Sequence, residues 1–226
     1  MFNFTIFARD SWCDVQGGGR HRCLSRDVFA CYHSDYHAGG YRSSGTIENI
    51  ICTLKNDVTP YPDSVLDDAV KRLHDILEED LKEFSKMAKE KGYSSITVCV
   101  IPRAKAEKSY KDNQKLFRKT VQDVVKELTS SDSFYVDGTY NIIRHTDTAT
   151  THLSRHAFQI NGTLPYCGIT KDTCEITNVQ GKVILLIDDL YTKTVCIDED
   201  ALQALFDNGA RQVFFYSIGR TVHKEI

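Results

Sequence analysis

Short apolar runs alternate with longer amphipathic segments along most of the chain. Apolar runs that predict strands buried inside a sheet occur at 95–102, 133–137, 183–187 and 212–221. Apolar residues at helical spacing, which predict amphipathic helices, occur at 47–54, 63–92, 112–128 and 197–207. The strand–helix–strand order near the end of the chain predicts two parallel strands joined by a right-handed crossover. We therefore expect an α/β fold in which helices flank a parallel sheet.

The first 60 residues follow a different pattern, and two prolines separate them from the long amphipathic helix. We expect two strands in this part, at 2–8 and 28–33, where β-branched and aromatic residues are frequent. The sequence thus predicts a small β-containing appendage at 1–60, followed by the main domain at 61–226.

The run at 183–187 is followed at once by two carboxylates, Asp188 and Asp189, and then by a hydroxyl-rich turn at 192–196. Parallel α/β sheets bind ligands at the carboxyl ends of their strands. A turn that leads into a helix offers backbone N–H groups, which suit a phosphate group. This stretch is therefore the strongest candidate site in the chain.

The acidic pair has three chemical interpretations: it binds Mg²⁺, it holds the vicinal hydroxyls of a ribose, or it is a phospho-acceptor pocket. Only 37 residues follow Asp189, whereas a phosphate-receiver domain needs most of a domain after that point. A sugar-phosphate site remains, with Asp188 and Asp189 facing hydroxyls or metal and the 192–196 turn facing phosphate. The plainer alternative is a buried strand that ends in two solvated carboxylates.

This segment resembles the phosphoribosyl-diphosphate (PRPP) binding motif of type I phosphoribosyltransferases. That motif is an apolar strand, two acidic residues, two variable positions, two Thr, Gly, any residue, and Thr or Ser. The strand, the acidic pair and Thr192 match it. The second Thr, the Gly and the final hydroxyl residue are replaced here by Lys193, Thr194 and Cys196. The missing Gly matters because Gly lets backbone N–H groups approach a phosphate closely, whereas Lys193 offers a cation in compensation.

The chain also resembles the competence-associated, ComF-like branch of that family, over roughly 41–221. Supporting matches are Leu54-Lys55, Ile101-Pro102, Asn113-Gln114, Arg144 and Gly219-Arg220-Thr221. The resemblance implies a type I phosphoribosyltransferase-like (Rossmann-like) sheet, a pyrophosphate loop after strand 95–102 and a flap at 145–155. It implies catalytic roles for Asp188, Asp189 and Arg103. It implies pyrophosphate contacts from Arg103, Lys105 and Arg144, and phosphate contacts from Tyr191, Thr192, Lys193, Thr194, Val195 and Cys196.

The implied activity is transfer of phosphoribose from PRPP to a base or an amine, with Mg²⁺ held at Asp188 and Asp189. The alternative is a catalytically degenerate protein on the same fold, which binds PRPP, a nucleotide or a protein partner in DNA uptake or defence. Besides the ribose-phosphate substrate, the expected partners are proteins of the same operon and a second copy of the chain.

Net charge is −3, which gives no general attraction to nucleic acid or to an anionic membrane. No apolar run reaches the length of a membrane span. The eight cysteines are scattered in apolar contexts, as expected for reduced thiols in a cytoplasmic protein. Six potential zinc ligands lie close together in the sequence, at Cys13, His21, Cys23, Cys31, His33 and His37. Because they lack a Cys-x-x-Cys knuckle, we do not expect structural zinc.

Overall fold

The computed structural model describes residues 1–15, 19–39, 43–57, 60–148, 169–170, 172–193 and 196–222, of which 13–15 and 19–21 by their backbone alone. The strands of these parts are β1 Phe2–Ile6, β2 Trp12–Val15, β3 Gly19–Arg22, β4 Val28–Tyr36, β5 Ile96–Val100, β6 Tyr135–Asp137, β7 Ile142–Arg144, β8 Cys174–Ile176, β9 Val183–Tyr191 and β10 Gln212–Thr221. The helices are α1 Ile47–Lys55, α2 Asp63–Glu90, α3 Leu116–Ser131 and α4 Ile197–Asp207.

Six strands form one sheet in the order β1-β4-β10-β9-β5-β6. All neighbouring strands are parallel except β1, which runs antiparallel to β4 at the edge. Two small hairpins, β2-β3 and β7-β8, lie outside this sheet. The coarse prediction is therefore confirmed: the chain is an α/β protein with a mostly parallel sheet flanked by helices.

The central strand β9 is buried on both faces, as its continuous apolar run predicts. Val183, Leu185 and Ile187 pack in the same core as the apolar residues of α1, α2 and α3. The alternating residues Ile184 and Leu186 pack on the other side, against α4. Because successive side chains of a strand point to opposite faces, one five-residue run contributes to both cores.

The connections leave the centre of the sheet in opposite directions. After β5 the chain passes through α3 to β6 on one side, whereas after β9 it passes through α4 to β10 on the other. The strand order therefore reverses between the neighbours β5 and β9. In open parallel sheets such a reversal leaves a crevice at the carboxyl ends of the two strands, and ligands bind there.

Some element boundaries differ from the predicted ones. The prediction that the central strand ends at 187 is wrong, because β9 continues to Tyr191. Leu190 and Tyr191 still pair with Gly219 and Arg220 of β10. The pairing with β10 therefore determines how far β9 extends. The third predicted helix starts later, since 112–114 form a separate 3-10 turn ahead of α3.

Two of the N-terminal strands, β1 and β4, belong to the main sheet. β4 pairs with β10 in parallel, with Ala30 opposite Phe215, and β1 pairs with the far edge of β4. The six-stranded sheet thus crosses residue 60, and the predicted appendage at 1–60 supplies two of its strands. The β2-β3 hairpin was not predicted. In the described part of the chain, no helix is long and apolar enough to cross a membrane.

Candidate functional site

A cavity of about 130 Å³ lies at the carboxyl ends of β5 and β9. Its wall is built by the end of α1, the loop after β5, the ends of β9 and β10, and the first turn of α4. The predicted site residues that line it are Arg103, Arg144, Asp188 and Asp189. Residues distant in sequence, from the basic loop and from the acidic pair, are thus brought together where the strand order reverses.

The two neighbouring aspartates have different partners. Asp189 forms an ion pair with Lys55 at the end of α1, with Nζ and Oδ2 3.1 Å apart. The carboxyl group of Asp188 is instead hydrogen-bonded to that of Asp198 in the first turn of α4. The backbone N–H of Asp189 also donates to Oδ1 of Asp188 over 2.8 Å. The acidic pair therefore links α1 to α4 across the carboxyl end of β9.

Burial and the charge of Asp189 raise the pKa of Asp188 to about 7. Burial and the neighbouring carboxylates raise the pKa of Asp198 well above its usual value. Desolvation disfavours the charged form of each acid, and two close carboxylates disfavour double ionisation. At neutral pH the pair therefore holds a proton, which one carboxyl group donates to the other.

Two arginines form the basic part of the cavity. Arg103 pairs with Asp57, donates from Nη1 to the carbonyl oxygen of Gln114 over 2.7 Å, and lies over the ring of Tyr110. Arg144 is buried and donates from Nε to the carbonyl oxygen of Arg103 over 2.7 Å. The guanidinium groups therefore hold the loop after β5 in place and put positive charge beside the cavity.

Arg103 lines the cavity and Lys105 does not, although the sequence predicts that both contact pyrophosphate. The side chain of Lys105 is exposed. Its backbone N–H donates to the hydroxyl oxygen of Tyr110 over 3.0 Å. Lys105 thus helps to shape the loop through its backbone.

The described side chains of the predicted phosphate turn make contacts outside this cavity. Tyr191 is buried between Phe4 and Phe215, and its hydroxyl donates to Glu199 over 2.9 Å. The other contacts are Thr192 with Thr221 at 2.7 Å, Lys193 with Asp10 at 3.0 Å, and the Cys196 thiol with the carbonyl oxygen of Trp12 at 2.9 Å. Thr194 and Val195 lie outside the described residues.

The backbone at Cys196 is left-handed, with φ of 58°. Such a φ is the conformation that Gly adopts most readily, yet the family motif carries its Gly two positions earlier. The conformation places Cys196 at the N-terminal cap of α4 and its side chain in the protein interior.

The first turn of α4 is acidic, with Asp198, Glu199 and Asp200 in succession. Asp198 and Glu199 are 3% and 1% exposed, and one carboxyl oxygen of each has no hydrogen-bond partner. The helix dipole favours negative charge at this end, but the same position is where a phosphate would bind. The carboxyl groups of these side chains thus already occupy that position.

Several cavity residues were not among the predicted site residues. They are Lys55, Asp57, Tyr110 and Asp200. Lys55 reads in the sequence as a solvated charge at a helix end, but its side chain is only 18% exposed and pairs with Asp189. The one sequence feature that could have pointed to Lys55 as a site residue is the Leu54-Lys55 pair, which resembles the ComF-like pattern.

The start of the predicted flap is attached to the basic loop. The backbone N–H and the hydroxyl of Thr148 both donate to the carbonyl oxygen of Ala104, over 2.7 and 3.0 Å. Asp147 accepts from the backbone N–H of Ala106 over 2.8 Å. The rest of that flap, from 149 onward, lies outside the described residues.

Among the side chains that the structure describes, no cluster of three or more His, Cys, Asp or Glu residues is arranged to hold a metal ion. Of the potential zinc ligands, Cys13 and His21 have side chains outside the described set. His33 instead pairs through Nδ1 with Asp80, at 3.0 Å.

No protein-family model matches this chain, and no curated protein sequence matches it significantly.

Proposed function

We propose that the chain is a type I phosphoribosyltransferase-like protein that binds PRPP with Mg²⁺ and transfers phosphoribose to a base or an amine. One observation carries the proposal: Asp188, Asp189 and Arg103 line one cavity at the point where the strand order reverses. A ribose with a charged phosphate leaving group requires both a hydroxyl-binding acid and a cation, and this cavity contains both.

In this proposal the acidic pair holds the ribose. Carboxylate oxygens accept hydrogen bonds from vicinal hydroxyls, and charge-assisted bonds of this kind are short and strong. Lys55 orients Asp189 through their ion pair. Asp198 donates a hydrogen bond to Asp188, and Asp188 would accept a further hydrogen bond from a ribose hydroxyl.

The residues fit a Mg²⁺ ion that is held mainly by the diphosphate. Mg²⁺ keeps several waters and commonly takes only one or two protein carboxylates together with substrate phosphates. Asp188 and Asp189 would be those carboxylates, directly or through ribose hydroxyls. The ion would neutralise negative charge on the leaving diphosphate.

Arg103 and Arg144 would stabilise the diphosphate as charge develops on it. Fixed cations in a partly buried site stabilise such charge more than water does, because they need no reorganisation during the reaction. Arg103 is paired with Asp57 in the structure, so diphosphate binding replaces one anionic partner by another. Positioning and charge supply the catalysis, and no nucleophilic side chain is required.

The second candidate function is binding of PRPP or a nucleotide without transfer, in DNA uptake or defence. The turn after β9 favours this alternative. Lys193 is paired with Asp10, and the first turn of α4 carries carboxylates where a 5′-phosphate would bind. A weakly held 5′-phosphate leaves the ribose poorly positioned for transfer. Because a fold does not by itself fix a function, a protein with this fold can bind the ligand without turning it over.

Calorimetry with PRPP and Mg²⁺ tests the proposal. The wild-type protein is expected to give a binding heat, and Asp188→Asn and Asp189→Asn are each expected to weaken binding by about tenfold or more. Asp67→Asn, an exposed change on α2, is the matched control and should bind like wild type. Equal heats in all four proteins, or no heat in any, would overturn the proposal.

Turnover separates the two candidates. Labelled PRPP is incubated with the protein and a panel of bases and amines. Formation of a labelled nucleotide supports the transferase, whereas PRPP that is bound but unchanged supports the ligand-binding protein.

A further inference from the structure

The end of α1 carries a cation and an anion into the cavity on one short segment. Lys55 is the last residue of the helix, and Asp57 follows two positions later. Lys55 pairs with Asp189 over 3.1 Å, whereas Asp57 pairs with Arg103. All four residues line the cavity. The same segment therefore contacts both the acid and the cation that we assign to the substrate.

The turn at Asn56 directs these two charges to different parts of the cavity. Its backbone is left-handed, with φ of 46° and ψ of 40°, a conformation in which Asn is enriched. The side-chain oxygen of Asn56 accepts from the backbone N–H of Tyr61 over 3.0 Å, and its carbonyl oxygen accepts from the side-chain amide of Gln114 over 3.2 Å. The turn is thus held by hydrogen bonds that do not depend on either ion pair.

Gln114 also joins this turn to Arg103. Its carbonyl oxygen accepts from Nη1 of Arg103 over 2.7 Å, while its side chain holds Asn56. The residue next to Asn56 is Asp57, so the shared contact with Gln114 keeps the Asp57 carboxylate beside the guanidinium group. The pairing of Asp57 with Arg103 therefore belongs to a built arrangement of several contacts.

Asp57 is the one anionic partner that Arg103 has among the described side chains. The other contacts of Arg103 are with the carbonyl group of Gln114 and the ring of Tyr110. These groups carry no net charge, so they hold the guanidinium group without competing with an anion for it. A diphosphate that binds Arg103 must take the place of Asp57.

The ion pair is suited to such an exchange. The side chains of Arg103 and Asp57 are 27% and 37% exposed, and ion pairs that water reaches are weak. A diphosphate carries several negative charges and accepts two parallel hydrogen bonds from a guanidinium group, which makes it a stronger partner than one carboxylate. The apparent affinity of a ligand is reduced by the fraction of protein that is not ready to bind it.

We propose that Asp57 is an internal competitor of the substrate, which occupies the diphosphate-binding edge of Arg103 until the substrate arrives; this rests on the phosphoribosyltransferase function proposed above. Lys55 stays on Asp189 and keeps the end of α1 beside the site. Asp57 leaves Arg103 as the diphosphate takes its place. The site is therefore partly self-inhibited, and its affinity for diphosphate is lower than Arg103 alone would give.

Calorimetry with inorganic pyrophosphate and Mg²⁺ tests the inference, because this probe needs neither an acceptor nor turnover. Asp57→Asn removes the competing charge with little change in size and should bind pyrophosphate about threefold or more tightly than wild type. Asp57→Ala removes the same carboxylate and should show a similar gain. Asp112→Asn is the matched control, since it removes an exposed negative charge that does not line the cavity. Its affinity should stay within about twofold of wild type.

A double-mutant cycle shows whether Asp57 acts through Arg103. Arg103→Ala removes the group for which Asp57 competes. Adding Asp57→Asn to Arg103→Ala should therefore change the pyrophosphate affinity by no more than about twofold, with the titration carried into the millimolar range. An equal gain with and without Arg103 would show that Asp57 only repels the anion, which overturns the inference.

The outcomes separate the inference from the function beneath it. Unchanged or weaker pyrophosphate binding in both Asp57 variants means that Asp57 supports the site, so it overturns the inference and leaves the function standing. Absence of pyrophosphate binding in every protein also overturns the inference, and the PRPP heat then decides the function alone. Absence of both heats overturns both proposals.

Discussion

The carboxyl groups of Asp188 in β9 and Asp198 in α4 are hydrogen-bonded to each other. A hydrogen bond between two carboxyl groups requires a proton on one of them. The pair therefore fixes the approach of α4 to β9 through a proton that is present at neutral pH, since burial raises the pKa of both acids.

Asp198→Ala is expected to raise the pKa of Asp188. The substitution removes the hydrogen bond that the protonated Asp198 carboxyl group donates to Asp188, and this bond lowers the pKa of Asp188. Carbon-13 NMR titration of the aspartate carboxyl groups measures the pKa, with Asp67→Asn as the control. An unchanged Asp188 pKa would show that the two groups are not coupled.

Glu199 should make the protein less stable as the pH rises. Burial raises its pKa from 4.5 to about 7 in the folded state, so its stabilising contribution is complete below about pH 4.5 and is lost as the pH rises to about 7. At about 1.4 kcal/mol per pKa unit, the loss amounts to a few kcal/mol. In Glu199→Gln, urea unfolding at several pH values should therefore show a smaller decline between pH 4.5 and 7. If Glu199→Gln loses as much stability as the wild type between pH 4.5 and 7, the buried Glu199 is not the cause of that loss.

Arg103→Ala is expected to weaken PRPP binding by about tenfold to a hundredfold, because it removes a partly buried cation next to the diphosphate. Lys105→Ala is the matched control, since it removes a nearby charge whose side chain lies outside the cavity. Its affinity should stay within about twofold of wild type. Calorimetry measures both affinities, and equal losses would show that the loop acts only through its overall charge.

Tyr216→Phe is expected to destabilise the protein by about 1–3 kcal/mol. The Tyr216 hydroxyl donates to the buried carboxylate of Asp80 over 2.6 Å, and Asp80 also pairs with His33. Without the hydroxyl, a buried charge loses one of its hydrogen bonds. Urea unfolding of Tyr216→Phe is compared with Tyr93→Phe, which lies half-buried on the same side of the sheet. A loss no greater than that of the control would show that Asp80 does not depend on this bond.

The parallel centre of the fold could be predicted because its signal is local. Strands β5, β9 and β10 are buried on both faces and therefore appear as continuous apolar runs. The stripe Ala201, Leu202 and Leu205 similarly identifies the buried face of α4. By contrast, the pairing of β4 with β10 joins distant parts of the chain, and no pattern within 28–36 specifies its neighbour.

The site could be predicted only in part, for a related reason. Arg103 follows one buried strand and the acidic pair follows the apolar run of another, and the ends of parallel strands meet at one edge of the sheet. Lys55 and Asp198 lie at helix ends, where charged residues are common because they suit the helix dipole. Their contacts with Asp189 and Asp188 depend on how α1 and α4 pack, which local sequence does not reveal.

The position of β4 beside β10 determines the order in which this sheet is completed during synthesis. The residues of β4 leave the ribosome long before those of β10, and closing so large a loop is entropically costly and slow. Until β10 is made, β1 and β4 are a two-stranded ribbon, which is only marginally stable alone in water. The edge of β4 that pairs with β10 therefore stays unpaired until β10 has been made.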